Sequence, residues 1–87
     1  MTGLMDKAIK INYIIRSNFP GSCRVWAPIC GVEHIRFRVK CKNIPILCVE
    51  LTCEEAMRLP ENDVASFLMT RFINLLLERI ENNGPNA

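Results

Sequence analysis

Ile35-Arg36-Phe37-Arg38-Val39-Lys40-Cys41-Lys42 alternates without a break between apolar and cationic side chains. A period of two is the repeat of an extended chain, whose successive side chains point to opposite faces. The stretch therefore predicts a strand with Ile35, Phe37, Val39 and Cys41 turned to a core and Arg36, Arg38, Lys40 and Lys42 turned to water. Its flanks supply partners. Asn43-Ile44-Pro45 turns the chain into a second run, Ile46 to Leu51, which reads as a strand buried enough to lose its alternation. Cys23-Arg24-Val25-Trp26 reads as a short strand ended by Pro28, with Gly31 marking the next turn.

Asn18-Phe19-Pro20-Gly21 is a clear break, and the segment before it, Ala8 to Arg16, fits two patterns. Leu4, Ala8, Ile11 and Ile15 have helical spacing, whereas Ile9, Ile11, Tyr13 and Ile15 alternate, and the density of β-branched residues favours a strand. After the sheet, Thr52-x-x-Glu55 is a capping box that opens a short helix, which Pro60 closes at about Arg58. Asn62 or Asp63 then caps a long helix with Val64, Phe67, Leu68, Phe72, Leu75, Leu76 and Ile80 on one face, stopped by Asn82-Asn83-Gly84-Pro85. The pattern predicts an α+β fold in one domain over residues 1–87. A small three- to four-stranded, mostly antiparallel sheet over about 8–51 and a short helix over 53–58 lead to a long helix over 63–82, which packs on the sheet.

Eighty-seven residues leave room for one small domain, and 49% apolar with 23% charged residues is a globular composition. No apolar run approaches the ~18 residues that span a bilayer. Asp6 and Lys7 precede a charge-interrupted apolar segment without a small-residue cleavage site, which does not read as a secretory signal. The expectation is a soluble cytoplasmic protein with no membrane partner, Met5 being an alternative start. Residues 1–48 carry eight Lys and Arg against two acidic residues, and residues 49–87 three against seven, so the formal charges are +6 and −4. Such asymmetry suits an acidic partner for the first half, or a dipole between the halves.

Met69, Ile73 and Leu77 widen the apolar surface of helix 63–82 beyond one stripe. A helix apolar around more than half its circumference must bury a second side. The economical answer is a homodimer through Met69, Ile73, Leu76, Leu77 and Ile80, and the alternative is cover from the N-terminal segment or the short helix.

Three constellations bear on chemistry. The first is the ladder Arg36, Arg38, Lys40 and Lys42, four like charges on one sheet face whose repulsion an acidic partner relieves. If the neighbouring strand is in register, Arg24 and Trp26 join that face; the alternative is a solvated outer face with Glu33 and Glu50 as cross-strand partners. The second is Cys23, Cys30, Cys41, Cys48 and Cys53 with His34. Their C-x6-C spacings lack the C-x2–4-C knuckle of zinc sites, so they read as buried thiols, and their odd number speaks against a disulfide framework. The third is a nucleophilic pair of Cys23 or Cys30 with His34, for which the sequence provides no oxyanion site. It also has no phosphate loop, nucleophile elbow or H-E-x-x-H helix, so neither an enzyme nor a cofactor is expected.

In size and layout the chain resembles the small α+β accessory proteins of phages and mobile elements, among them inhibitors of host defence systems. That resemblance implies a compact binding domain without catalytic machinery, and it transfers no site residue. The expected function is a regulator or inhibitor that binds an acidic protein partner through Arg24, Trp26, Arg36, Arg38, Lys40 and Lys42. A nucleic-acid-binding module using the same face is the alternative of another class.

Overall fold

The computed structural model describes residues 3–82. Its elements are α1 (Gly3–Asn18), β1 (Cys23–Val25), β2 (Ile29–Cys30), β3 (His34–Cys41), β4 (Leu47–Thr52), α2 (Cys53–Arg58) and α3 (Glu61–Asn82). β3 is central and antiparallel to all its neighbours. β4 lies on one side, and β1 and β2 lie one after the other along the other side. The α+β reading holds, with the long C-terminal helix against the sheet.

The strand expected over Ala8 to Arg16 is instead part of α1, and the sheet begins at Cys23. The helical pattern decides it. Ala8, Ile11, Asn12 and Ile15 are buried at spacings of three, one and three, whereas Ile9 and Tyr13, which a strand would bury beside Ile11, are 54% and 68% exposed. β-branched residues lower helix propensity only slightly, and an apolar stripe docked on a sheet outweighs that preference.

β4 also departs from expectation. Leu47, Val49 and Leu51 are buried while Cys48 and Glu50 are exposed, so the alternation is kept. Together with Ile35, Phe37, Val39 and Cys41 they form the sheet's inner face, covered by Ala8, Ile11 and Ile15 of α1 and by Val64, Ala65, Leu68 and Phe72 of α3. The helices contact each other as well. α1 thus provides the second cover weighed for the long helix, but only along its first half: past Phe72, no described residue of α3 is buried.

Between β1 and β2 the edge strand carries one extra residue. The Trp26 N–H donates to the Arg38 carbonyl (3.0 Å), and Ile29 stands opposite Arg36, so Ala27 and Pro28 together face Phe37. This is a β-bulge, a device that bends an edge and re-aims the side chains beyond it. In the following turn the Gly31 N–H donates to the His34 carbonyl (2.8 Å), and a Cβ on Gly31 would stand 3.0 Å from that oxygen, so a side chain is disfavoured there.

The five cysteines are not all thiols. Cys23 and Cys41 face each other across β1 and β3 with Cα atoms 4.1 Å apart and are joined by a disulfide, while Cys30, Cys48 and Cys53 are free. The ladder explains the proximity. Counting from the Trp26–Arg38 hydrogen bond, positions 23 and 41 form a non-hydrogen-bonded pair, the pair type whose side chains approach most closely.

At the start of α2, the Glu55 N–H donates to the Thr52 hydroxyl (3.1 Å) and the Thr52 N–H to the Glu55 carboxylate (3.2 Å), completing the capping box. At its other end, the Lys7 ammonium donates to the carbonyls of Met57 (2.8 Å) and Leu59. α3 starts at Glu61, ahead of both expected caps, Asn62 and Asp63, and directly after Pro60, whose carbonyl accepts from the Val64 N–H (3.0 Å). The Thr52 bonds hold the Glu55 carboxyl below its ordinary pKa. A depressed carboxyl pKa contributes stability above the unfolded value and loses it as the pH falls through the folded one. Thr52→Ala is therefore expected to cost about 1 kcal/mol at neutral pH and less in acid, as read by urea unfolding at both pH values.

Candidate functional site

With both long helices on the inner side, the outer side of the sheet carries no element among the described residues. The register settles which side chains it presents. Arg24 stands opposite Lys40, Trp26 bonds to Arg38, Ile29 stands opposite Arg36, and across β3 Arg38 faces Cys48 and Arg36 faces Glu50. Five of the six expected binding residues, Arg24, Trp26, Arg36, Arg38 and Lys40, therefore share one face. Lys42 lies just past the end of β3, exposed in the hairpin turn, where Asn43 takes a left-handed conformation (φ 64°) that Asn tolerates.

The ladder does not behave as four free charges. Arg36 donates from Nε and Nη2 to the Glu50 carboxylate, each at 2.7 Å. Both side chains are about half exposed, so the pair fixes geometry more than it stabilises. Arg38 lays its guanidinium 5.0 Å from the Trp26 ring centroid and donates from Nη2 to the Ala27 carbonyl at 3.0 Å. Its Nε is buried without a partner among the described residues. Lys40 bends along the hairpin to the carbonyls of Cys41 (2.8 Å) and Ile44 (2.5 Å). Of the two acidic partners weighed for this face, only Glu50 takes the role: the Glu33 carbonyl accepts from the Cys53 N–H (2.8 Å), and its carboxylate makes no ion pair among the described residues.

Trp26 is 38% exposed, with one ring face against Arg38. Its backbone is held too, since the Asn12 side-chain amide donates to the Trp26 carbonyl (3.1 Å) and ties α1 to the bulge. Ile29 (44% exposed) extends the apolar surface beside it. The sequence reading missed Ile29, because only the bulge returns it to the outer face; Pro28 was the available signal. It missed Arg16 as well. On a helix, Arg16 falls in the last turn of α1 and lines a notch of about 360 Å³ with Cys23, Arg24, Val25 and Trp26.

The Cys/His pairs do not form. Cys23 is in the disulfide, and Cys30, opposite Ile35, points to the inner face while the neighbouring His34 points outward. Burial, with the Cys53 thiol beside it, pushes the Cys30 thiol up, away from the thiolate a nucleophile requires. Burial raises Cys48 as well, against the opposing pull of Arg36. Among the described residues, no three His, Cys, Asp or Glu side chains gather as metal ligands, and no helix is long and apolar enough to cross a membrane.

The residues expected to self-associate lie on the far side of the molecule. Ile73, Leu77 and Ile80 are about half exposed, and Met69 and Leu76 are partly buried. Met69, Ile73 and Leu76 also line a groove of about 570 Å³ with Phe19 and Pro20.

The chain matches no family model, no curated protein and no solved structure. Its function is therefore argued from these faces.

Proposed function

We propose that the chain is a non-catalytic binding protein, a regulator or inhibitor, whose outer sheet face docks an acidic protein partner. The observation that carries this reading is the Trp26–Arg38 stack on a face that no element covers among the described residues. Tryptophan and arginine dominate the energetics of protein interfaces. Here each holds the other in place, so little side-chain freedom is lost on binding. Ile29 adds apolar area, and Arg24 and Lys42 supply charge at the rim. The same geometry weakens the nucleic-acid alternative. Phosphate binding draws on many unengaged cations, and Arg36, Arg38 and Lys40 already have protein partners. One face of the ring on which a base would stack is covered by Arg38.

Trp26 is the only tryptophan, so its fluorescence reports on this face. Titration with poly-L-glutamate is expected to give a saturable change, weakened about tenfold or more by the double reversal Arg24→Glu/Lys42→Glu. Single- and double-stranded oligonucleotides are expected to give little change. Tighter binding of an oligonucleotide than of poly-L-glutamate, lost steeply with added salt, would replace this reading with the nucleic-acid one.

We infer also that α3 carries a second copy of the chain. Met69, Ile73, Leu76 and Ile80 follow one another at spacings of four, three and four, the repeat of a coiled-coil seam, and none of them is charged. The expected result in light scattering at rising concentration is a shift toward twice the 10.0 kDa monomer mass. Ile73→Glu/Ile80→Glu should hold the mass at the monomer with an unchanged circular dichroism spectrum. A monomer at every concentration would remove the dimer from the account.

A further inference from the structure

We propose that the open edge of β1 takes a short, extended acidic peptide as an added strand; the proposal rests on the protein-binding reading and specifies how such a partner is held. The hydrogen-bond phase of the sheet comes first. The Trp26 N–H bonds to Arg38, so positions 24 and 26 turn their backbone groups toward β3 and position 25 turns its own away. The Val25 N–H and C=O therefore face the free edge, and among the described residues they have no partner. Unpaired edge groups are the template for strand addition.

The surroundings of that edge choose the chemistry of the strand. Arg16 flanks it on the helix side and Arg24 on the outer side, both lining the notch of about 360 Å³ along β1. Neither makes an ion pair among the described residues, in contrast to Arg36, which Glu50 neutralises. Two guanidiniums on one concavity repel each other, and carboxylates relieve that repulsion through charge-assisted hydrogen bonds. Successive side chains of an added strand alternate between faces. A residue paired with Val25 points to the helix side, toward Arg16, and its neighbours point outward, toward Arg24 and Trp26. Adjacent acidic residues thus meet the two arginines from opposite faces, and an apolar residue beside them meets Trp26.

The edge also limits the length. Pro28 has no N–H and sits in the bulge, and Pro20-Gly21 turns the chain away at the other end, so only the few residues alongside β1 are paired.

The test uses the full chain and a fluorescein-labelled peptide with a central Asp-Glu-Val among threonines, read by anisotropy. Two further peptides serve as comparisons, one with Asn-Gln-Val and one N-methylated on alternate backbone nitrogens. Saturable binding of the parent peptide is expected, weakened about tenfold by Arg16→Ala or Arg24→Ala and by the neutral sequence, and lost on N-methylation. Both arginines are exposed and make no ion pair among the described residues, so the variants should keep the parent circular dichroism spectrum. If the N-methylated peptide binds as tightly as its parent, or Arg16→Ala changes nothing, the edge proposal is overturned. Poly-L-glutamate binding that persists in that case leaves the outer-face reading standing, and loss of both overturns both. An oligonucleotide that displaces the peptide at lower concentration than poly-L-glutamate would also overturn it.

Discussion

Replacing Phe72 with alanine is expected to remove about 3–5 kcal/mol of stability, the range for a buried phenylalanine. The ring is fully buried, is the last buried side chain of α3 among the described residues and meets Phe19 edge to face, with centroids 6.1 Å apart and planes at 81°. Its loss opens a cavity where α3, the core and the turn after α1 converge. Eighty-seven residues at ~0.05–0.15 kcal/mol each have a total stability of order 4–13 kcal/mol, so this one change takes a large share of it. Urea unfolding should show a lower midpoint with an unchanged slope. Ile80→Ala is the control: two turns further along the helix and half exposed, it should shift monomer stability by no more than about 0.5 kcal/mol.

Opening the Cys23–Cys41 bridge should have the next largest effect. The cysteines are 18 residues apart in sequence, and closing a loop of that size restricts the unfolded chain by about 3 kcal/mol. In a domain this small, ~1 kcal/mol moves the melting temperature by roughly 4–8 °C, so reduction should lower it by on the order of 10–20 °C. Thiol titration of the denatured protein should find three reactive groups without reductant and five after it. The loss should appear first at β1, which has only three residues in the ladder, so Trp26 emission should respond at lower denaturant than far-ultraviolet circular dichroism. A double Cys23→Ala/Cys41→Ala chain as stable as the oxidised parent would show that the ladder holds β1 without the bridge.

The sequence foretold much of this architecture wherever one short-range pattern acted alone. The alternation from Ile35 to Lys42 made β3, and Thr52 with Glu55 made the cap of α2. It misled where two patterns overlapped. Ala8 to Arg16 satisfied both a strand and a helix, and tertiary docking of Ala8, Ile11 and Ile15 chose between them. Along β4, Cys48 looked apolar enough to be buried, yet strict alternation put it outside with Glu50. The disulfide depends on which residues of β1 and β3 stand opposite each other, and no local pattern records that. For the candidate site, the grouping of Arg24 and Trp26 with the ladder followed from period two once the register was correct. The engagement of Arg36 by Glu50 and of Arg38 by Trp26 followed only from three-dimensional placement, as did the approach of Arg16 to the edge.

Pro28 and its neighbour Ala27 also mark a point where the strand carries one residue more than its pairing requires. Because two residues there oppose one, Trp26 and Ile29 face the same way although three positions separate them. Deleting a single residue from 27–28 would remove the bulge and leave Ile29 two positions after Trp26, on the same outer face and still opposite Arg36, so the edge would lose its bend and keep its facing. Lengthening the 42–46 hairpin turn by a residue would leave every paired position where it is. The bulge at 27–28 and the turn at 42–46 are therefore two places where the chain can change by one residue without turning a paired side chain to the other face.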